Sequence, residues 1–216
     1  MTPASATPAR FRLTVYDAEP GITLPADGTV FVYAVSGALT LIGPDGDVRD
    51  LGEDDGAFAP NGARLGGNGR AWIYRLAAPD AASLEGAEIV RSELVRPTFG
   101  PASLVRADRI ESPPGAATPR HGHRGPGIRR LVFGRILAEV GDTVERIDAG
   151  MAWFETGADM VVGTNIGGTN AAFVRVMVLP AELEGGKSSF MAADAAEAAK
   201  PRAVQNRLFG EVLIDG

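Results

Sequence analysis

Two histidines occur in the chain, and they stand two residues apart: His121 and His123, within Pro119-Arg120-His121-Gly122-His123. Residues i and i+2 of a strand project to one face. Two imidazoles on one face can hold a divalent ion if further ligands come from other strands. Arg129 shares the parity of His121 and His123, so a regular strand turns it to the same side. A guanidinium there is a clamp for a carboxylate ligand. A bulge at Gly125-Pro126-Gly127 would instead turn it to solvent. The competing reading of the pair is a remnant, with both imidazoles hydrogen-bonded to the wall.

Composition narrows the field around these residues. A length of 216 residues allows one large domain or two small ones. The net charge is −6, and Arg129-Arg130 is a pair rather than a basic patch, which argues against a nucleic-acid partner. The absence of cysteine excludes disulfides, a thiolate nucleophile and Cys-ligated zinc. No apolar run approaches the ~20 residues of a membrane span, so no membrane partner is expected. Met1 to Arg10 lacks an apolar stretch of signal type, and a cytoplasmic location is the expectation.

The elements that must position the pair read as short strands between turn formers. Val30 to Val35, Ala38 to Ile42 and Arg70 to Leu76 are strand segments in the first half. Arg130 to Phe133, Arg135 to Val140 and Phe173 to Val178 follow in the second. Gly37 and Gly134 lie 97 residues apart, and Pro60 and Thr156 lie 96 apart. Two landmarks with nearly one offset point to an internal duplication. Gly66-Gly67-Asn68-Gly69 reads as a hairpin turn. Glu53-Asp54-Asp55 reads as a solvated turn, and Met151, Trp153, Phe154 and Met160 as core packing. The Ala-rich run Met191 to Lys200 favours a helix, stopped by Pro201.

The spacing resembles that of the cupins. Their first motif is Gly-x5-His-x-His-x3,4-Glu-x6-Gly, and Gly115, His121, His123 and Gly134 match it. The glutamate position falls on Gly127. In the second motif, Gly-x5-Pro-x-Gly-x2-His-x3-Asn, Gly150 and Asn165 match. Its proline, glycine and histidine positions fall on Thr156, Ala158 and Val161. The first half resembles a second, degenerate copy. Gly37, Pro60 and Gly62 match, while the ligand positions fall on Leu24, Ala26, Val30 and Leu65.

The resemblance implies an all-β fold of double-stranded β-helix (jelly-roll) barrels, two cupin domains in one chain. Residues 10–80 would form a degenerate barrel and 95–180 the barrel with the His-x-His site. Residues 181–216 would form a C-terminal tail with a short helix. It further implies a barrel binding a divalent transition metal (Fe, Mn, Ni or Zn) through His121 and His123. Two ligands of the usual set are missing, so low occupancy is expected. Arg129 and Glu155 would bind a small, anionic ligand, with Glu139 an alternative carboxylate whose direction depends on register. The implied activities are those of a metal-dependent oxygenase, isomerase or lyase. The alternative is a non-catalytic binding or structural bicupin with a remnant site. Uncovered strand edges imply a homodimer.

Overall fold

The computed structural model describes residues 11–96 and 102–215; the expectations for Met1 to Arg10 lie outside them. The first half carries β1 (Phe11–Ala18), β2 (Ile22–Thr23), β3 (Thr29–Ser36), β4 (Leu39–Ile42), β5 (Val48–Leu51), β6 (Gly56–Phe58), β7 (Arg64–Gly67), β8 (Arg70–Ala77) and β9 (Ala87–Val95). The second carries β10 (Ala102–Ser112), β11 (His121–His123), β12 (Gly127–Phe133), β13 (Arg135–Val140), β14 (Thr143–Asp148), β15 (Ala152–Glu155), β16 (Val161–Asn165), β17 (Ala171–Pro180), β18 (Phe190–Ala192) and β19 (Gln205–Asp215).

These strands make four antiparallel sheets. The first half has orders β6-β3-β8-β1-β9 and β2-β7-β4-β5. The second has β15-β12-β17-β10-β19 and β14-β13-β16-β11-β18. Alternation explains how they stack. On β3, Val30, Val32 and Ala34 enter one core with Leu39, Leu41 and Leu65 of the facing sheet. Phe31 and Tyr33 point the other way, into a core shared with Val105, Ile128, Val174 and Val176 of the second half. The two central sheets therefore lie back to back, each covered on its other face. That burial on both faces is why the run from Val30 to Val35 is apolar throughout instead of alternating.

The contact between the halves is decided by this apolar face. Each fully buried Val or Phe contributes roughly 1.5–3 kcal/mol, whereas a partly exposed ion pair contributes about 0–1 kcal/mol. The polar contacts set register. Arg130 donates to both carboxylate oxygens of Asp17, at 2.9 and 2.8 Å, and its guanidinium lies 4.2 Å from the Trp72 ring centroid. Asp54 is not a freely solvated turn residue: it accepts from Tyr33 Oη at 2.5 Å and pairs with Arg109 Nε at 2.8 Å.

Three local expectations change. Gly67 to Gly69 does not close a hairpin, because β7 pairs with β2 and β4 while β8 pairs with β1 and β3; the turn hands the chain from one sheet to the facing one. A side chain on Gly67 would strike the Ala38 carbonyl, which explains the glycine there. The helix expected over 191–200 is one turn, Ala195–Ala198, capped by the Asp194 carboxylate on the Glu197 amide. The segments around it are strands: β18 joins β11, and β19 runs the length of β10.

The positions that stand for ligands in the first half hold no site. Leu24, Val30 and Leu65 are buried in its apolar core, and Ala26 is exposed.

Candidate functional site

The inner face of the second central sheet carries charge where the first carries hydrocarbon. Cross-strand register sorts these side chains into rows. One row is Asp108, Arg175, Arg129 and Trp153, from β10 through β17 and β12 to β15. Two residues along in one direction stand Arg106, Met177, Gly127 and Glu155. Two along in the other stand Ile110, Phe173 and Leu131. The facing sheet adds His121 and His123 from β11, Val161 from β16, and Ile136 and Ala138 from β13. Except for Met177, Gly127 and Leu131, these residues line a cavity of about 360 Å³.

The histidines form a directed chain. Nδ1 of His121 lies 2.8 Å from the Pro119 carbonyl, which can only accept, so the neutral ring carries its proton there. Its Nε2 is then an acceptor, 3.2 Å from His123 Nε2, which donates. That leaves His123 Nδ1 to accept from Ser189 Oγ at 3.2 Å. Phe190 stacks on His121 at 4.5 Å between centroids, with planes 17° apart. Both Ser189 and Phe190 come from the strap that crosses β11 as β18.

Beside this chain is a buried ion pair. Arg129 is 1% exposed and Glu155 4%. Arg129 Nη1 donates to the Gly127 carbonyl at 2.6 Å. Its Nη2 stands 2.6 Å from Glu155 Oε2, but off hydrogen-bond geometry, so both atoms are buried without a hydrogen-bond partner. The other carboxylate oxygen accepts from Trp153 Nε1 at 3.0 Å, and Oε2 lies 3.6 Å from His123 Nε2. Asp108 holds Arg175 through two oxygens, at 2.5 and 2.9 Å.

Electrostatics follow from this burial. Desolvation, then the nearby Arg129 and Arg175 charges, pushes His123 well below the usual imidazole range. Burial also lowers His121, partly countered by its bond to Pro119. Desolvation pushes Arg129 down to about 10, against the support of Glu155. Burial works against Arg175 too, but Asp108 more than offsets it and holds the guanidinium above its ordinary value.

A pH prediction arises here. The folded imidazoles titrate below their unfolded value of about 6.5. Below that pH the unfolded chain binds protons that the native chain refuses. Their contribution is therefore complete above about pH 6.5 and declines as pH falls, by up to about 1.4 kcal/mol per unit for each ring. Urea unfolding at pH 7.5 and 5.5 should show a smaller loss for the His121→Gln/His123→Gln double variant. An equal loss in both proteins would refute the assignment.

The donor set meets only part of what a divalent metal needs. Two convergent Nε2 atoms 3.2 Å apart suit neighbouring positions around a cation. The third donor does not: Glu155 Oε2 is tied to Arg129, and the two arginines that depress the imidazoles also repel a cation. Among the described residues no group of three or more His, Cys, Asp or Glu side chains is arranged for a metal. The residues do not fit a resident ion held by protein alone. What they can do is bind an anion at Arg129 and accept or deliver a proton at a neutral imidazole.

The fold thus brings His121, His123, Arg129 and Glu155 into one cavity. Glu155 is the inward carboxylate. Ile136 and Ala138 line the cavity from β13, so Glu139 points to the opposite side. The stretch Gly125 to Gly127 does not deflect Arg129; the register shift on β12 falls between Leu131 and Phe133. Gly127 stands directly opposite Glu155, and a side chain there would meet the Val176 carbonyl at 2.5 Å. Packing thus forbids glutamate at 127, and its cross-strand partner supplies the carboxylate. Trp153 packs in the core with Leu131 and Ile136, as expected, and also lines the cavity. Sequence reasoning missed Arg106, Asp108, Arg175, Ser189 and Phe190. The available signal was charge inside apolar runs, as in Phe173-Val174-Arg175-Val176.

No protein-family model and no curated protein matches the chain. Solved structures do. The Lactobacillus farciminis oxalate decarboxylase formate complex aligns with TM-score 0.61 at 12% identity, over 88% of this chain and 82% of that one. AerE from Microcystis aeruginosa aligns with TM-score 0.54 at 14% identity, over 78% and 87%. Oxalate decarboxylase from Bacillus subtilis aligns with TM-score 0.52 at 12% identity, over 90% and 70%. Identities this low speak to the fold alone.

Proposed function

We propose, starting from the cupin fold that this chain has, that its C-terminal barrel binds a small organic anion. The observation that carries this reading is a cavity of about 360 Å³ into which the buried Arg129–Glu155 pair and two convergent imidazoles open. Arg129 Nη2 makes no hydrogen bond to Glu155 and can donate one to a bound carboxylate. In this reading the barrel of 95–180 holds the site, the barrel of 10–80 is filled, and 181–216 adds an edge strand to each sheet of the site-bearing barrel. A divalent transition metal (Fe, Mn, Ni or Zn) is an auxiliary at most. His121 and His123 offer it two neutral donors, so it stays at low occupancy unless a bound anion adds ligands. Oxygenase, isomerase or lyase chemistry would need that added coordination.

The test is thermal shift and calorimetry with acetate, other small carboxylates and phosphate, each with and without Mn²⁺ or Zn²⁺. Anions alone should stabilise the chain saturably, and metals alone should do little. No stabilisation by any anion would overturn the reading. A second reading, a binding-inert structural bicupin, is favoured by one observation. The chain Ser189–His123–His121–Pro119 satisfies both imidazoles with no ligand. Under it, His123→Ala destabilises the chain and no anion changes that loss. Under the anion-binding reading, His123→Ala chiefly removes anion-linked stabilisation.

The protein is also proposed to be a homodimer. Ile89 and Leu94 on edge strand β9, and Leu208 and Leu213 on edge strand β19, are exposed. Edges of this kind are covered in stable proteins. Sedimentation at micromolar concentration should give about twice the 22.5 kDa chain mass, and the single-chain mass would refute it.

A further inference from the structure

The row register that assembles the cavity also grades it. The row of Asp108, Arg175 and Arg129 is charged, and the next row along the same strands is Ile110, Phe173 and Leu131. Consecutive inward rows are two residues apart, about 6.8 Å along a strand. Ile136 and Ala138 of the facing sheet extend the apolar end. A two-carbon acid held at Arg129 cannot reach it. A volume of about 360 Å³ also lies in the range that drug-sized molecules fill.

Charge pairing limits the other end. Arg106 is committed to Glu211 and to the carbonyls of Leu183 and Lys187. Arg175 is committed to Asp108. Arg129 alone of these three has a buried nitrogen without a hydrogen-bond partner. Arg202, exposed at the rim, stacks on Phe190 and is the fourth cation lining the cavity. Arg106, Arg175 and Arg129 are matched in charge by Glu211, Asp108 and Glu155, so Arg202 is the one unmatched cation of the lining and the cavity has room for about one further negative charge, for which Arg129 Nη2 still has a hydrogen bond to donate.

We infer that the ligand is a monoanion with an apolar body: an alkyl or aryl carboxylate several carbons longer than acetate. Its carboxylate lies at Arg129 and the histidine pair, and its body lies along Ile110, Phe173 and Ile136. The inference rests on the anion-binding reading above and narrows it to a chemical class.

Isothermal titration of the full chain with formate, acetate, butyrate, hexanoate and octanoate tests it, with oxalate and hexanamide as controls. Each methylene buried should tighten binding about fourfold until the apolar end is full. Hexanamide, isosteric but uncharged, should bind at least about tenfold more weakly than hexanoate. The Ala138→Leu variant fills the apolar end, so it should weaken hexanoate and leave acetate unchanged. If that variant does not fold, the series on the unaltered chain decides by itself. Affinity that is flat along the series, or oxalate binding as tightly as hexanoate, overturns the inference while leaving the anion reading standing. Hexanamide matching hexanoate overturns the charged-head assignment. No binding by any carboxylate overturns the anion reading itself.

Discussion

Arg129→Met unfolds at a free energy about 3–5 kcal/mol below that of the unaltered chain, and adding Glu155→Gln returns most of the loss. The two side chains are almost wholly buried and 2.6 Å apart. Removing the guanidinium leaves an almost wholly buried carboxylate without its adjacent counter-charge, which is the costly half of breaking a buried pair. Neutralising both removes the uncompensated charge. Recovery falls short of complete, because the double variant also loses the Arg129 hydrogen bond to the Gly127 carbonyl. Urea denaturation of the two variants checks this. If the double variant is as unstable as the single one, Arg129 acts through packing, and its charge is not what the fold depends on.

The second large effect lies in the other half. Leu65→Asp destabilises the chain by several kcal/mol, or folds only with its carboxyl protonated. Leu65 is 1% exposed in a core with Leu24, Val30, Leu39 and Leu41, and no cation is among the residues of that core. His123→Ala in the second half loses less in the absence of ligand, because the cavity around it gives water access to the freed groups. Circular dichroism melts of the two variants rank them. A Leu65→Asp protein with unaltered stability that also binds Zn²⁺ would show that the first barrel is not filled.

Both effects depend on residues whose legibility in the sequence differed. Leu65 could be assigned from spacing, because Pro60 and Gly62 mark its place and an apolar side chain there can only pack. Arg129 could be given a parity but not a partner. The carboxylate that meets it could have been Glu139 or Glu155, and a one-residue slip between strands exchanges the faces. The register Gly127 to Glu155, with β12 packed on β17, makes that choice. Asp108 and Arg175 were legible as charges within apolar strands, but not as a pair, since they stand 67 residues apart in the chain. Ser189 and Phe190 fall by sequence in a C-terminal tail, and only its passage across β11 puts them on the imidazoles.

The features legible from residue order were local. Turn formers bounded the strands, two histidines shared a face, and the first half lacked any ligand at the positions where the second has its pair. These follow from φ/ψ preference, from two-residue alternation and from residue chemistry, which are properties of short segments. The tertiary structure alone decided which carboxylate faces the histidines, that an arginine neutralises it, and that the cavity runs from charge to hydrocarbon. Those are cross-strand relations between residues far apart in the chain, and they are set by the packing of four sheets rather than by any segment's own preference.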